Sequence, residues 1–318
     1  MELDIRHLRV ICAIADAGSV TKAATSLGLS QPSLTGQLQR IESLLGGKLF
    51  LRGPDGTVPT DLGTFVISRA RAVLPAIDQL QADAIRRAGA QQDLRLLRYG
   101  AAPGPLMVGL LGRLRELLPD AEVTLRTESS SATLVDLVAS GRLELAAMLE
   151  YPDHEVPPRQ EVERRIVATE PSFALLSSTH PLAARPELAL TDLAEESWVI
   201  PPPGDRFREY FAIACQQAGF RPRVSHETEA SGARDLMMAG QAVAIGQATF
   251  RETPGVVVRP IIDVPMRVRH VLVWNRNGSL TRLAERLLAA ARSAYQEAVD
   301  RSPDYQRWLA KHGPLPPV

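Results

Sequence analysis

The first 46 residues constrain this 318-residue chain most, because their helical punctuation leaves one arrangement open. From Ile5 to Ala17, Leu8, Ile11, Ile14 and Ala15 recur at helical spacing, and Gly18 ends the run. Ser19 is placed to cap a second helix, Val20 to Leu27, in which Ala23 and Ala24 let a neighbouring helix approach. Gly28-Leu29-Ser30 makes a tight turn, and Ser30 or Gln31 opens a third helix. Pro32 fits its first turn, where a missing amide donor costs nothing, and Leu34, Leu38, Ile41 and Leu45 supply a buried stripe as far as Gly46. Two helices joined by a turn of four residues form a helix-turn-helix.

The outer face of the third helix offers Gln31, Ser33, Thr35, Gln37, Gln39 and Arg40, side chains that hydrogen-bond to bases and phosphates without bulk charge. Taken alone, that face is equally well a solvated helix surface. The next segment favours the first reading. Lys48 to Arg52, a turn at Gly53-Pro54-Asp55-Gly56, and Thr57-Val58-Pro59 read as a β-hairpin, a wing that carries Arg52 toward a phosphate backbone.

These residues resemble the LysR-type transcriptional regulators. The resemblance is carried by Leu8, Ile11, Ile14, Ser19, Ala23-Ala24, Leu27, Ser30 to Thr35, Gln37-Leu38, Ile41-Glu42, Leu45-Gly46, Leu49-Phe50, Arg52, Thr60 and Gly63, a gap-free pattern far more specific than a bare helix-turn-helix. It implies DNA contacts from Thr21, Gln31, Pro32, Ser33, Thr35, Gln37, Arg40 and Arg52. Gln31, Ser33 and Thr35 are then expected at base edges, and Thr21, Arg40 and Arg52 at phosphates. Two departures stand out: Gly36 occupies a position where the family usually has a basic residue, and Thr57-Val58 stands where many wings carry Arg. In the first 60 residues, Arg6, Arg9, Lys22, Arg40, Lys48 and Arg52 oppose Glu2, Asp4, Asp16, Glu42 and Asp55, leaving a net charge of +1. Non-specific DNA affinity is therefore expected to be modest and salt-dependent.

Thr60-Asp61 caps a further helix in which Val66, Ala70, Val73, Ile77, Leu80 and Ala84 alternate spacings of four and three, a coiled-coil seam. Val66, Val73, Ile77 and Leu80 are the expected dimer contacts, in line with the linker helix of the resembled family. Pro75 is expected to kink this helix, and Ala88 to Gln92 read as a hinge.

From Leu94 the pattern becomes βαβαβ: strands Leu94 to Tyr99, Val123 to Thr127 and Leu143 to Leu149, with helices Pro105 to Leu118 and Ser131 to Ser140 between them. A second set has strands near Ile166, Phe173 to Leu176, Trp198 to Ile200, Val224 to His226 and Val243 to Ile245, and helices Arg206 to Ala218 and Ser231 to Ala239. A strand Val268 to Trp274 and a helix Leu280 to Val299 return to the first lobe. The expected fold is an all-α winged helix-turn-helix domain (1–60), a linker helix and hinge (61–90) and an α/β effector domain of two lobes (91–300). Its lobes span 91–165 with 266–300, and 166–265; a C-terminal extension (301–318) follows. The resemblance makes the effector domain similar to a type II periplasmic solute-binding protein.

In such lobes ligands collect at strand C-termini and helix N-termini. This singles out Ala102 and Pro103, Ser129 and Ser130, Tyr151, Pro202, and Ser231 as effector contacts. The serines suit a carboxylate, and each is equally a plain N-cap.

Composition narrows the function. With 36 Lys+Arg against 36 Asp+Glu the chain is formally neutral, which excludes a generic polycation on nucleic acid. No apolar stretch approaches the roughly 20 residues of a membrane helix, and the charged start Met1 to Arg6 is not a signal peptide, so a cytoplasmic protein is expected. Cys12 and Cys215 form no CxxC and are read as reduced, and the six histidines lack metal-ligand spacing, so no metal or cofactor is expected beyond the effector. Neither GxSxG, a Walker loop nor a GxGxxG after a strand is present. The expected protein is a regulator that is not an enzyme. The cleft serines make a small organic anion with an apolar body the expected effector, and the resemblance implies promoter DNA with an interrupted palindrome, self-association as dimer or tetramer, and RNA polymerase as partners. An enzyme with a DNA-binding head, or an architectural DNA-binding protein, are the rivals.

Overall fold

The computed structural model describes residues 3–53, 56–88, 94–203, 206–251 and 253–316. The chain divides into two units, Met1–Ala90 and Gln91–Val318.

The first unit opens with α1 (Ile5–Ala17), α2 (Val20–Ser26) and α3 (Gln31–Leu45). Asp4 forms a capping box with His7 at the start of α1, and Gly18 ends it in the left-handed region at φ 59°. Ser30 caps α3 through Ser33 N–H, with Pro32 in the first turn as expected. Ser19 holds the N-cap position of α2 in extended geometry, but its side chain makes no capping bond. Ile11, Ile14, Ala23, Leu34 and Ile41 are fully enclosed and form the common core. The wing pairs β1 (Phe50–Gly53) with β2 (Gly56–Pro59) antiparallel; Pro54 and Asp55 of the expected turn lie outside the described residues.

Two devices hold the wing to the helices. Thr57 N–H donates to Gly18 O at the end of α1 at 2.9 Å. Glu42 of α3, 5% exposed, accepts Leu49 N–H at 2.9 Å and pairs with Lys48 at 2.7 Å. The buried carboxylate therefore fixes the strand that follows to α3. The helix α4 (Asp61–Ala88) runs as one 28-residue element through Pro75, starting from Thr60, whose hydroxyl accepts Gly63 N–H at 3.0 Å. Gly89 to Gln92 of the expected hinge lie outside the described residues.

The second unit carries β3 (Leu96–Ala101), α5 (Pro105–Leu117), β4 (Glu122–Thr127), α6 (Ser131–Ala139), β5 (Leu145–Glu150), β6 (Val162–Ser177), β7 (Ser197–Ile200), α7 (Phe207–Gln217), β8 (Arg223–Glu227), α8 (Ala230–Met238), β9 (Ala244–Gln247), β10 (Val256–Pro260), β11 (Arg267–Asn275), α9 (Ala284–Asp300) and α10 (Pro303–His312). One sheet has the order β10-β6-β11-β5-β3-β4 with β9 also on β6, and β7 pairs β8 in parallel.

The sheet spans both lobes because of β6. Two short strands were expected near Ile166 and Phe173; they are a single 16-residue strand. Its first half pairs β11, and its second half pairs β9 and β10, the latter a strand the hydropathy pattern missed. Pro171 lies at the changeover, opposite Arg267, and the register shifts between His270 and Val271, so the crossing is where the ladder is irregular. The expected helix from Leu280 begins as a 3-10 turn, Ser279–Leu283, before α9. At α5 against α9, a Cβ on Gly109 would stand 3.2 Å from Ala294 Cβ, which is why small residues meet there.

The crossing strands carry a buried polar network. Glu170 and His270, both buried, are 2.5 Å apart, and the Glu170 carboxylate also accepts Thr249 N–H and Oγ1–H, each at 2.9 Å. The Tyr295 ring of α9 stands 5.3 Å from the His270 ring, and its hydroxyl is 3.0 Å from that of Tyr305 on α10. Burial, with the Glu170 carboxylate nearby, drives the Tyr295 hydroxyl far above the ordinary phenol range. The extension after Arg301 packs inward: Tyr305 lies edge-on to Phe173, and Lys311 pairs Glu187 at 2.6 Å.

Candidate nucleic-acid interface and effector cleft

On α3, Gln31, Pro32, Ser33, Gln39 and Arg40 are exposed and Gln37 is half-buried; Thr21 is exposed on α2. The uncharged hydrogen-bonding face thus lies on the N-terminal half of α3, the part that enters a major groove in helix-turn-helix proteins. Thr35 does not share it. Its Oγ1 is buried without a partner, so the position read as a base contact points its hydroxyl into the domain. Arg40 folds back onto its helix, Nε donating to Gly36 O at 3.2 Å. Arg52 lies on β1 opposite Thr57, with its side chain outside the described set.

The seam of α4 divides in two. Val66, with Ile67 and Ala70, is buried in the core of its own unit, which corrects its expected role as a contact to a partner. Val73 is 45% and Leu80 69% exposed, and Ile77 is half-buried, so an apolar stripe continues beyond the intrachain core.

Between the lobes of the second unit lies a cavity of about 740 Å³. Its walls include Leu149, Ile200, Phe207, Ile245 and Val268, an apolar interior suited to a compact organic molecule. Ala102, Pro103, Ser129 and Tyr151 line it. Ser130, Pro202 and Ser231 do not. The Ser130 hydroxyl caps α6 through Thr133 N–H at 3.1 Å, the plain N-cap alternative; Pro201 takes the wall position in place of Pro202; Ser231 is exposed.

Two polar contacts cross the cleft. Ser129 Oγ donates to the Glu229 carboxylate, and Gln247 Nε2 donates to Pro103 O at 3.1 Å. Glu229 and Gln247 were not singled out from the sequence. The signal was present for both: Glu229 is the N-cap of α8, two positions before Ser231, and Gln247 ends β9, the strand-end position that marks a site in α/β lobes. At the rim, Arg113 and Arg301 both approach Glu297 of α9, and Arg251 is exposed.

Neither cysteine is activated. Burial raises the Cys12 thiol and pushes the Cys215 thiol up to about 12, and both are free. Among the described residues no His, Cys, Asp and Glu group gathers that could hold a metal ion, and no helix is long and apolar enough to cross a membrane.

Comparison with known proteins matches residues 5–64 to the bacterial regulatory helix-turn-helix protein model of the lysR family, and residues 88–296 to the LysR substrate binding domain. The chain belongs to the LysR family of transcriptional regulators. Among its relatives are the small neutral protease regulatory proteins of Streptomyces coelicolor, 37% identical over 98% of this chain and 93% of that protein, and of Streptomyces lividans, 37% identical over 98% and 88%. The fold is that of full-length CbnR complexed with its target DNA (TM-score 0.64, 23% identity, 92% of this chain and 100% of that one) and of an H2O2-bound cysteine mutant of OxyR from Corynebacterium glutamicum (TM-score 0.56, 22% identity, 95% of each). This LysR-type regulator therefore combines a DNA-binding head with a small-molecule effector domain, and the enzyme alternative falls. Its α10 lies beyond the matched substrate-binding model, which ends at residue 296.

Proposed function

We propose that this regulator binds an interrupted palindrome in promoter DNA as a dimer or tetramer, with Gln31 and Ser33 reading base edges and Thr21, Arg40 and Arg52 contacting phosphates, Arg40 on release from Gly36 O. The observation that carries the reading is the exposed, uncharged donor–acceptor face at the N-terminal end of α3, set beside a wing that Glu42 anchors. The stripe made by exposed Val73 and Leu80 with half-buried Ile77 supports pairing of α4 with a second copy. The protein then acts in the cytoplasm, where its DNA is.

Fluorescence anisotropy with DNA from immediately upstream of its own gene, at two salt concentrations and against a scrambled competitor, tests this. DNA upstream of a protease gene is the second probe, since the relatives above are named as protease regulators. Gln31→Ala is expected to cost about 1–3 kcal/mol on the cognate site and to relax discrimination there; an equal loss on the scramble would remove Gln31 from base reading. Gly36→Arg is expected to act oppositely. A Cβ at Gly36 meets nothing within 4 Å. The substitution also removes a helix-interior glycine worth about 1 kcal/mol, and it adds a phosphate contact, so binding to all DNA tightens and the salt slope steepens by about one unit. An unchanged slope would mean that residue 36 faces away from the backbone.

The effector we propose is a small organic anion with an apolar body. Three guanidinium groups, Arg113, Arg251 and Arg301, oppose two carboxylates, Glu229 and Glu297, around a cavity whose remaining walls are apolar with a few neutral polar groups such as Ser172 and Thr249. An effector that prefers one lobe arrangement replaces or reinforces the Ser129–Glu229 and Gln247–Pro103 bridges and so shifts the equilibrium that spaces the DNA-reading heads. A thermal-shift series of carboxylates, with no member stabilising the protein, would count against this class.

A further inference from the structure

A second pocket, of about 410 Å³, lies on the other face of the crossing strands from the effector cleft. The pleat of the strands creates it. Along β11, Val268 lines the cleft, whereas Arg267 and Arg269, its neighbours on either side, line the second pocket; along β6, Ser172 lines the cleft and Thr169 the second pocket. The remaining walls are the loop after β5, Pro152 to His154, and α7 with Tyr210 and Ile213.

Its polar groups are donors in excess of acceptors. Arg267 is half-buried; its backbone N–H donates to the Tyr210 hydroxyl at 2.6 Å, and among the described residues its guanidinium has no hydrogen bond or ion pair. Arg269 is paired through Nη1 with Glu155 at 2.5 Å, yet its Nε is buried without a partner. Thr169 is 7% exposed and its Oγ1 is likewise buried and unpartnered. His154 Nδ1 is taken by Pro152 O at 3.1 Å, and Asp153, exposed and in the left-handed region at φ 64°, is the one acidic residue on the wall. A half-buried guanidinium whose forked donors are unused is suited to a planar two-oxygen acceptor.

We propose that this pocket is a second ligand site, which takes a small carboxylate anion on Arg267, independent of the effector in the cleft. Residues of both lobes wall it, as they wall the cleft, and the two sites share the crossing strands as a common partition. Closure of the lobes about those strands narrows one pocket as it widens the other, so an anion on Arg267 favours the arrangement in which the cleft is open.

Isothermal titration of the full-length protein with malonate, against sodium chloride of equal ionic strength, tests the site. Wild type is expected to bind one malonate per chain. Arg267→Met, which keeps the apolar stem, is expected to weaken binding by about tenfold or more, the effect of losing hydrogen bonds to a charged group. Arg267→Lys retains charge without the fork and falls between the two, with circular dichroism and melting temperature checking that each variant is folded. Ala230→Trp, which crowds the cleft from α8, leaves malonate binding unchanged. Absence of binding to wild type, or binding that survives Arg267→Met, overturns the proposal; survival there with loss in Ala230→Trp would place the anion in the cleft instead.

Discussion

Gly63→Ala is expected to destabilise the winged helix by about 3 kcal/mol or more and to abolish DNA binding, the upper range for overpacking a rigid contact. A Cβ on Gly63 would stand 2.0 Å from the backbone oxygen of Leu49. Leu49 is fully buried, and the same oxygen accepts Thr60 N–H at 2.9 Å. Neither side of the contact can yield alone. Moving the first turn of α4 breaks the Thr60 hydrogen bonds, including Thr60 Oγ1 to Lys48 O at 2.7 Å, and moving Leu49 breaks the hydrogen bond that its N–H donates to the Glu42 carboxylate. The residues that orient the wing against the recognition helix are thus the ones displaced. Circular dichroism melts and anisotropy on the cognate site read the two effects. A variant that melts like wild type and binds DNA normally would mean that the chain at Leu49 adjusts freely.

Glu170→Ala is expected to cost the effector-binding unit about 3–5 kcal/mol, the penalty for leaving several buried hydrogen-bond donors without their acceptor. The Glu170 carboxylate is fully buried and satisfies three donors: His270 Nε2, Thr249 N–H and Thr249 Oγ1–H. Alanine orphans all three and leaves a void. In a unit of this size the loss corresponds to roughly a 10 °C fall in melting temperature. Glu170→Gln, which keeps the volume and an acceptor, falls between alanine and wild type. Because Thr249 also lines the effector cavity, ligand stabilisation of the alanine variant shrinks as well. Differential scanning calorimetry with and without a stabilising ligand measures both, and a loss below about 1 kcal/mol would show that solvent replaces the network at little cost.

The helix-turn-helix was legible because its determinants are local. Gly18, Ser30, Pro32 and Gly46 act through backbone angles and caps within a few residues of themselves, and the Leu34, Leu38 and Ile41 stripe faces a core made by neighbours in sequence. Thr35 and Val66 were misassigned for the opposite reason. Periodicity puts Thr35 on the rim of the exposed face, and only packing turns its hydroxyl inward; the heptad spacing of Val66 is the same whether it meets a second chain or α1 of its own. In the cleft, strand-end reasoning found Ala102, Pro103, Ser129 and Tyr151 but could not rank the serines, because an N-cap and a ligand contact use the same residue at the same place.

Short-range propensity, capping and spacing are enough to specify the winged helix-turn-helix, the alternation of strands and helices after Leu94, and the membership of the LysR family. Which distant groups meet is set by the packing of elements far apart in the chain. Glu170 finds His270, 100 residues away, Ser129 finds Glu229 at the same separation, and Arg267 and Arg269 gather with Thr169 behind the cleft. The first and last of those meetings are set by the register of β6 on β11 and by the pleat that sends alternate side chains to opposite pockets, and register is a property of two strands together that neither strand's sequence states alone.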